Sequence, residues 1–171
     1  MTERQPQTIE MLLAGLAPLD DTATDYGSLL ILLALIDYVQ PRVILEVGTY
    51  QAHFAVAAAR LCPDARVHTF DPIDHGWNKL LAPTVLFHQH DFDFVPEPFD
   101  FAFVDSGPPF RYAQQEDGVR WRHWRMACDN VAPGGIVCCH DTNSEWPHVA
   151  DIVAQGVQLH GGRGLTMWQR K

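Results

Sequence analysis

Acidic residues stand at or just after five apolar segments that are predicted to be strands. They are Glu46, Asp71, Asp91, Asp105 and Asp141. Because the carboxyl ends of parallel strands meet at one edge of a sheet, the pattern predicts that these carboxylates line one crevice. Carboxylates gathered there repel one another unless a cation or several hydroxyl donors lie among them. An acid at a single strand end is an ordinary turn residue, but five favour a ligand with positive charge and hydroxyl groups.

The first of these acids belongs to a predicted strand, turn and helix. Val43–Val47 is a short, mostly β-branched run typical of a strand buried on both faces, Gly48 and Thr49 end it, and a helix is predicted from Gln51. Such a unit places a turn and a helix N-terminus where ligands of open α/β sheets bind. Glu46 disfavours a bare pyrophosphate there, since two like charges a few ångströms apart repel by roughly 4 kcal/mol at an effective dielectric of about 20. An ammonium or sulfonium group is favoured instead.

Two further acids have positions that suit a nucleoside. Asp71 directly follows the predicted second strand, Arg66–Phe70, where one carboxylate can accept hydrogen bonds from both hydroxyls of a ribose. Asp91 and Phe92 follow the predicted third strand, Thr84–His90, and suit an adenine, since the carboxylate accepts from the exocyclic amine and the ring covers one face. Phe92 is equally compatible with the core, which is the commoner place for an aromatic residue beside a strand. Asp71 is also compatible with a plain Asp-Pro turn.

The remaining segments complete an alternating α/β pattern. The sequence predicts helices over Thr8–Leu16, Asp25–Val39, His75–Leu81, Phe110–Asn130 and Glu145–Gln155, strands over Phe99–Val104 and Ile136–Cys139, and a closing hairpin of Val157–His160 and Leu165–Gln169. A hairpin at the end makes the last strand antiparallel to its partner. With no linker or repeat in view, residues 1–171 are predicted to form a single domain in which helices of residues 1–40 pack on the sheet.

The composition narrows the choice of partners and compartment. A formal net charge of -9 and a pI near 5.3 argue against nucleic acid or an anionic membrane surface as a partner. The longest apolar run, Leu29–Ile36, is too short to cross a bilayer, and Met1–Glu10 lacks the apolar core of a signal peptide. The four cysteines form no C-x-x-C pair, which favours reduced thiols in a cytoplasmic protein over zinc. Several tryptophans suit either the core or the interface of a homo-oligomer.

The chain from about Asp25 to Arg170 resembles the class I S-adenosylmethionine-dependent methyltransferases. The segments that carry the resemblance are EVGTYQAHFA, FDP, FDFAFVDS, APGGIVCCHDTN and the closing hairpin, and they resemble the small-molecule O-methyltransferase branch with the catechol-type and macrocin-type enzymes. This resemblance implies a Rossmann-like, doubly wound, seven-stranded sheet of order 3-2-1-4-5-7-6 with strand 7 antiparallel. It also implies S-adenosylmethionine as the cofactor and a small-molecule hydroxyl as the methyl acceptor.

The resemblance also implies which residues bind the cofactor. The acid and glycine of the first turn would hold the methionine end, the acid after strand two the ribose, and the acid and aromatic after strand three the adenine. The residues expected to contact the cofactor are Glu46, Gly48, Thr49, Tyr50, Asp71, Asp91, Phe92 and Asp105.

Residues after strands four and five are the candidates for catalysis. In metal-dependent members of the family, acids at these positions hold a magnesium or calcium ion that orients the substrate hydroxyl, and the corresponding residues here are Asp105 and Asp141. Both offer the oxygen ligands that hard cations prefer, whereas the adjacent His140 does not. His140 is a candidate general base, or simply a histidine satisfied by a neighbour at a strand end. Asp105, His140 and Asp141 are therefore the candidate catalytic residues.

Two other functions remain open at this stage. Tyr50 stands where the cofactor turn usually has a small residue, and it either stacks beside the cofactor or narrows the pocket, which is compatible with a catalytically degenerate cofactor-binding or assembly protein. Methyl transfer needs an in-line geometry without water, so Gly107–Tyr112, His75–Trp77 or a partner subunit must cover the site. A nicotinamide dehydrogenase is disfavoured by Glu46, and by Tyr50 and His53 at the later glycine positions of G-x-G-x-x-G.

Overall fold

The fold is built on one seven-stranded sheet. The computed structural model describes residues 8–20, 23–76, 82–107, 118–143, 148–159 and 162–171, and the helix expected over His75–Leu81 lies mostly outside these ranges. The elements within them are α1 (Ile9–Leu13), α2 (Tyr26–Val39), β1 (Val43–Val47), α3 (His53–Leu61), β2 (Arg66–Phe70), β3 (Val85–His88), β4 (Phe99–Val104), α4 (Val119–Asn130), β5 (Val131–His140), α5 (Val149–Gln155), β6 (Val157–Leu159) and β7 (Leu165–Gln169).

The strand order confirms the arrangement that the sequence resemblance implies. The strands lie in the order β3-β2-β1-β4-β5-β7-β6. Strands β1 to β5 are mutually parallel, and β7 is antiparallel to both β5 and β6. The carboxyl ends of five strands therefore meet at one edge of the sheet, and we call this the carboxyl edge.

The sheet is buried on both faces, which explains the continuous apolar runs of its strands. Ile44 of β1 packs in a layer with Phe54 of α3 and residues of α2. Its neighbour Leu45 points to the opposite face and packs in a second layer with Trp124 of α4 and Ile152 of α5. Because successive side chains of a strand point to opposite faces, each apolar residue of β1 contributes to one of the two layers.

Helix α2 is placed by a capping residue that also reaches the carboxyl edge. Asp25 accepts hydrogen bonds from the backbone amide of Ser28 at 3.0 Å and from its hydroxyl at 2.7 Å. A carboxylate in this position satisfies an amide that has no acceptor within the helix.

Among the residues that the structure describes, no helix is long and apolar enough to span a bilayer.

Two predicted helices begin later than the sequence suggested. The helix expected from Phe110 is seen as α4, which begins directly after Gly118 with φ of 82°. The helix expected from Glu145 is seen as α5, which begins after His148 with φ of 63°. A residue in the left-handed region cannot continue a right-handed helix, so neither prediction was right as a single uninterrupted helix. The intervening residues lie outside the described ranges.

Other boundaries also differ from the predictions. Helix α1 stops at Leu13 because Gly15, with φ of 80°, turns the chain before the expected end at Leu16. Strand β3 is shorter at both ends than predicted. Strand β5 begins five residues before Ile136, since Val131 already pairs with β4 ahead of a register shift.

One acid connects the start of β1 to β4. The Oδ2 atom of Asp100 accepts hydrogen bonds from the backbone amides of Arg42 at 2.8 Å and Val43 at 3.1 Å. Asp100→Ala leaves both amides without this acceptor, so we expect the free energy of unfolding in urea to fall by about 1–3 kcal/mol. Asp100→Asn keeps a carbonyl oxygen and should lose less. Equal losses in the two variants would contradict this account.

Candidate active site

The turn after β1 packs directly against the turn after β4. Gly48 has φ of 95°, and a Cβ atom at this position would lie 2.4 Å from the backbone oxygen of Asp105. The backbone amide of Asp105 in turn donates to the oxygen of Val47 at 2.8 Å. Only glycine satisfies both the conformation and the close approach. The predicted cofactor turn and the candidate catalytic acid are therefore held together through their backbones.

Asp71 shapes this turn from the neighbouring strand. Its Oδ2 atom accepts hydrogen bonds from the backbone amides of Thr49 at 3.1 Å and Tyr50 at 2.9 Å, and its Oδ1 atom accepts from Ile73 at 2.9 Å. The Oγ1 atoms of Thr49 and Thr69 lie 2.6 Å apart below it. The acid predicted to bind a ribose thus also fixes the turn that would surround the ligand.

Tyr50 is attached to the N-terminal part of the chain. Its hydroxyl donates to Asp20 at 3.0 Å, and its ring meets His75 edge-on, with centroids 5.2 Å apart. Tyr50 and Ala52 have φ of 42° and 60°, in the left-handed region where glycine is preferred. Each costs roughly 1–2 kcal/mol of backbone energy, so the turn is held by its surroundings rather than by local preference.

Glu46 is a buried acid beneath the turn. It is only 2% exposed, and it accepts a hydrogen bond from the Thr69 hydroxyl. Burial raises the pKa of Glu46 well above its ordinary value, and the charges of Asp105 and Asp71 raise it further against the effect of the Thr69 hydrogen bond. A positively charged ligand group beside Glu46 would offset the cost of its charged form.

Asp91 links the end of β3 to the turn after β4. Its Oδ1 atom lies 3.1 Å from Nε2 of the buried His123, and its Oδ2 atom lies 3.3 Å from the Arg122 guanidinium. The other nitrogen of His123 lies 2.8 Å from the Ser106 hydroxyl. Burial lowers the pKa of His123. The acid expected to accept from an adenine is half-exposed and is braced by α4.

Phe92 lies in the core, one of the two places that the sequence left open. Its side chain is 1% exposed and meets Phe70 edge-on at a centroid distance of 5.1 Å. It also meets the ring of His123 edge-on at 5.8 Å. The ring therefore packs among neighbours of the second layer and presents no open face for stacking.

Asp105, His140 and Asp141 come together as their positions at strand ends predict. The Nδ1 atom of His140 lies 3.1 Å from Asp105 Oδ1 and 3.4 Å from Asp141 Oδ1. Its Nε2 atom lies 2.9 Å from the carboxylate of Asp25. Burial lowers the pKa of this imidazole, but the three acids outweigh burial and raise it to about 9. His140 is therefore protonated at neutral pH, with both nitrogens engaged, and is poorly suited to be a general base.

Two arginines complete this cluster. Arg120, buried at the start of α4, donates to the backbone oxygens of Ser106 and His140, each at 2.7 Å, and lies 3.4 Å from Asp141. Arg163, before β7, has its Nε atom 2.9 Å from Asp141. Three acids thus face three basic groups, and the chain itself supplies cations that the sequence argument assigned to a ligand. The members of this set, the carboxyl-edge cluster, are Asp25, Asp105, Arg120, His140, Asp141 and Arg163.

Residues just before α2 cover part of the cluster. The hydroxyl of Thr24 donates to Asp105 at 2.8 Å, while Asp25 accepts from the backbone amides of Gly162 at 3.2 Å and Arg163 at 3.3 Å. The sequence had offered Gly107–Tyr112, His75–Trp77 or a partner subunit as cover. Much of those two segments lies outside the described residues, and segment 23–25 carries no sequence pattern that marks it as a cover.

The fold is shared with solved methyltransferases along most of the chain. TomG from Streptomyces achromogenes, in complex with SAM, is 20% identical, with a TM-score of 0.63 over 90% of this chain and 84% of that one. The Bacillus cereus O-methyltransferase, in complex with SAH, is 20% identical, with a TM-score of 0.64 over 97% and 92%. SAH-bound PaMTH1 from Podospora anserina is 15% identical, with a TM-score of 0.67 over 95% and 85%.

These likenesses establish the fold of class I methyltransferases. They confirm the fold that the sequence resemblance implies, and at identities of 15–20% they show the fold alone. No protein-family model and no curated protein matches the chain.

The raised pKa of Glu46 predicts a gain in stability when its carboxyl group is replaced. Glu46→Gln keeps an acceptor oxygen without the charge, so we expect the free energy of unfolding of the ligand-free protein at pH 8 to rise by about 1–3 kcal/mol. The gain should vanish as pH falls to about 4, because the pKa of Glu46 is raised in the folded protein and the penalty ends only below the ordinary value of 4.5 that it has in the unfolded chain. Urea denaturation at both pH values measures the effect. A loss of stability at pH 8 would contradict this account.

The raised pKa of His140 predicts a loss of stability in alkali. Its folded-state pKa of about 9 exceeds the ordinary 6.5, so its contribution is complete below pH 6.5 and disappears as pH rises through 9. The loss should be up to about 3 kcal/mol. His140→Gln should abolish this pH dependence, whereas His148→Gln, at an exposed histidine, should keep it. Parallel wild-type and His140→Gln profiles between pH 6 and 10 would refute the assignment.

Proposed function

We propose that this protein is an S-adenosylmethionine-dependent methyltransferase that acts on a hydroxyl group of a small molecule. The observation that carries the proposal is the turn from Gly48 to Tyr50, fixed by Asp71 and packed on Asp105 at the carboxyl edge. The solved structures that share the fold include O-methyltransferases with SAM or SAH bound, and this supports the same class of cofactor here.

The chemistry of the edge suits a positively charged nucleoside. Glu46, buried and close to the charges of Asp105 and Asp71, would be stabilised by an ammonium or sulfonium group. The Oδ1 atom of Asp71 accepts one hydrogen bond, from the Ile73 amide, and lies 4.0 Å from the His75 ring, so it retains acceptor capacity for ribose hydroxyls. Asp91, half-exposed and held by His123, suits the amine of an adenine. Phe92 would contribute as a packing residue behind Asp91 rather than as a stacking ring.

The carboxyl-edge cluster does not suit the magnesium or calcium ion of metal-dependent relatives. Hard cations prefer an all-oxygen ligand set, but an imidazole nitrogen lies between Asp105 and Asp141. A guanidinium already contacts Asp141 at 2.9 Å, and a second lies at 3.4 Å. Like charges at such distances are strongly repulsive in a buried site. We therefore assign no step to a metal ion.

Catalysis at this edge would rest on position and charge. When bound, the cofactor supplies an electrophilic methyl group on a sulfonium, and its transfer to the acceptor oxygen leaves a neutral thioether. Asp105 or Asp141 would accept the hydrogen bond of the acceptor hydroxyl, orient its oxygen in line with the methyl group and take up the hydroxyl proton as the new C–O bond forms. His140, donating to Asp105 and Asp25, would hold these carboxylates in place rather than remove a proton. Segment 23–25 would help to exclude water.

The same cluster favours a second candidate, a cofactor-binding or assembly protein without transfer activity. Asp105 already accepts from Thr24 at 2.8 Å and contacts His140 at 3.1 Å, so an acceptor hydroxyl must compete with internal partners. Binding of the cofactor without methyl transfer to any of a broad panel of hydroxyl acceptors would favour this candidate.

The remaining expectations concern the cellular location of the protein and the class of its partner. A cytoplasmic location is supported by four free, buried cysteines, two of which, Cys128 and Cys139, have their thiol pKa raised by burial to about 12. The net charge of -9 supports a small-molecule partner over nucleic acid.

Calorimetric titration with S-adenosylhomocysteine tests the cofactor directly. We expect binding, and we expect Asp71→Ala to weaken it at least about tenfold, because both the ribose acceptor and the brace of the turn are lost. Asp74→Ala, three residues further along, serves as the matched control and should leave the affinity unchanged. The absence of binding at millimolar concentration, or equal affinity in the Asp71→Ala variant, would defeat the proposal.

A further inference from the structure

Three atoms of the carboxyl-edge cluster have the spacing of ligands around one ion. Asp105 Oδ1, His140 Nδ1 and Asp141 Oδ1 include contacts of 3.1 Å and 3.4 Å, and one ligand atom from each residue lies within 4.8 Å of the others. Atoms bound to one metal at about 2 Å lie roughly 3 Å apart. The backbone at this edge therefore brings the side chains to the separation that a metal site requires.

The guanidinium of Arg163 contacts two of these same atoms. Its Nε atom lies 2.9 Å from Asp141 Oδ1, and its Nη2 atom lies 3.4 Å from His140 Nδ1. Nη2 also donates to the backbone oxygen of Ala23 at 3.1 Å. The side chain thus lies across the open side of the three-atom arrangement and is anchored on segment 23–25.

The backbone fixes Arg163 in this place. The backbone amide of Asn143 donates to the oxygen of Arg163 at 3.1 Å, and that of Thr142 donates to the oxygen of Gly164 at 3.2 Å. Gly164 has φ of 90°, and a Cβ atom there would lie 2.4 Å from the amide nitrogen of Asn143. The turn before β7 therefore packs tightly on the turn after β5, and this packing holds the backbone of Arg163 beside Asp141.

We propose that Arg163 takes the place of a divalent cation at the carboxyl edge, so that the site works without a metal. The part that concerns methyl transfer rests on the proposed function, whereas the exclusion of a metal does not. A guanidinium carries a permanent charge, and with its Nε atom 2.9 Å from Asp141 it can attract this carboxylate as an ion would. Arg163 brings one unit of positive charge, whereas a divalent cation would bring two. With His140 and Arg120 it equals the three negative charges of the cluster.

The prediction is that removal of Arg163 opens a metal site. Manganese(II) is a suitable probe because it accepts both carboxylate and imidazole ligands and its free form is read by electron paramagnetic resonance. The wild-type protein should show no binding below millimolar concentration. Arg163→Met should bind at least about a hundredfold more tightly, since a unit charge a few ångströms from a divalent ion is removed. The Arg163→Lys variant keeps a positive charge at this position and should bind manganese no more tightly than the wild type.

Matched variants make the test decisive. Arg60→Met removes an arginine that donates to the backbone oxygens of Leu12 and Ala14, and it should behave as the wild type. Arg163→Gln provides a second opened variant if Arg163→Met does not fold. Tight manganese binding by the wild type overturns the proposal, and so does the failure of every folded Arg163→Met or Arg163→Gln variant to bind.

The cofactor test is read separately. S-adenosylhomocysteine is titrated into the wild type and the same variants in metal-free buffer. If the wild type does not bind S-adenosylhomocysteine, the proposed function fails but the exclusion of the metal does not. If the wild type binds both S-adenosylhomocysteine and manganese, the exclusion of the metal fails but the proposed function does not.

Discussion

One buried imidazolium shared by three carboxylates is the interaction on which the carboxyl edge depends. His140, fully buried, joins Asp105 after β4, Asp141 beside it and Asp25 at the start of α2. Each carboxylate alone would be costly in this position, because burial disfavours its charged form. Together with two arginines they form a balanced set, in which each acid lies beside a basic group at the edge where a cationic ligand would bind.

This arrangement connects parts of the chain that are remote in sequence. Asp25 lies 115 residues before His140, and Arg163 lies close to the end of the chain. The N-terminal helix α2, the sheet and the closing hairpin consequently share one polar contact region. Removal of one partner would leave the other charges buried without compensation, which is far more destabilising than the net contribution of the pair. The cluster therefore limits how far segment 23–25 and the hairpin can move apart.

Much of the fold could be predicted because it follows from local patterns. The apolar run around Leu45 and the turn at Gly48 give a buried strand and its exit, and the order of the strands followed from the resemblance that these segments carry. Element ends were harder to predict, since Gly118 and His148 adopt left-handed conformations that no periodicity reveals. The meeting of Asp105, His140 and Asp141 was predictable from strand ends alone.

The partners of those three residues were not predictable. Arg120 and Arg163 are single arginines without a motif, and only the packing of α4 and of the hairpin turn brings them to Asp141. The net negative charge of the crevice is therefore smaller than the number of acids at the strand ends indicates. For Phe92 the sequence allowed either a place in the core or a place against the adenine. The side chain is buried in the core, as is usual for an aromatic residue beside a strand.

The protonation state of His140 is the most direct test of this account. Nitrogen-15 NMR of the imidazole distinguishes a ring protonated on both nitrogens from either neutral tautomer across the pH range. His140 should carry both protons at pH 7.5 and titrate near pH 9, because Asp105, Asp141 and Asp25 outweigh its burial. A neutral ring at pH 7.5, with a midpoint at or below the ordinary value of 6.5, would contradict it.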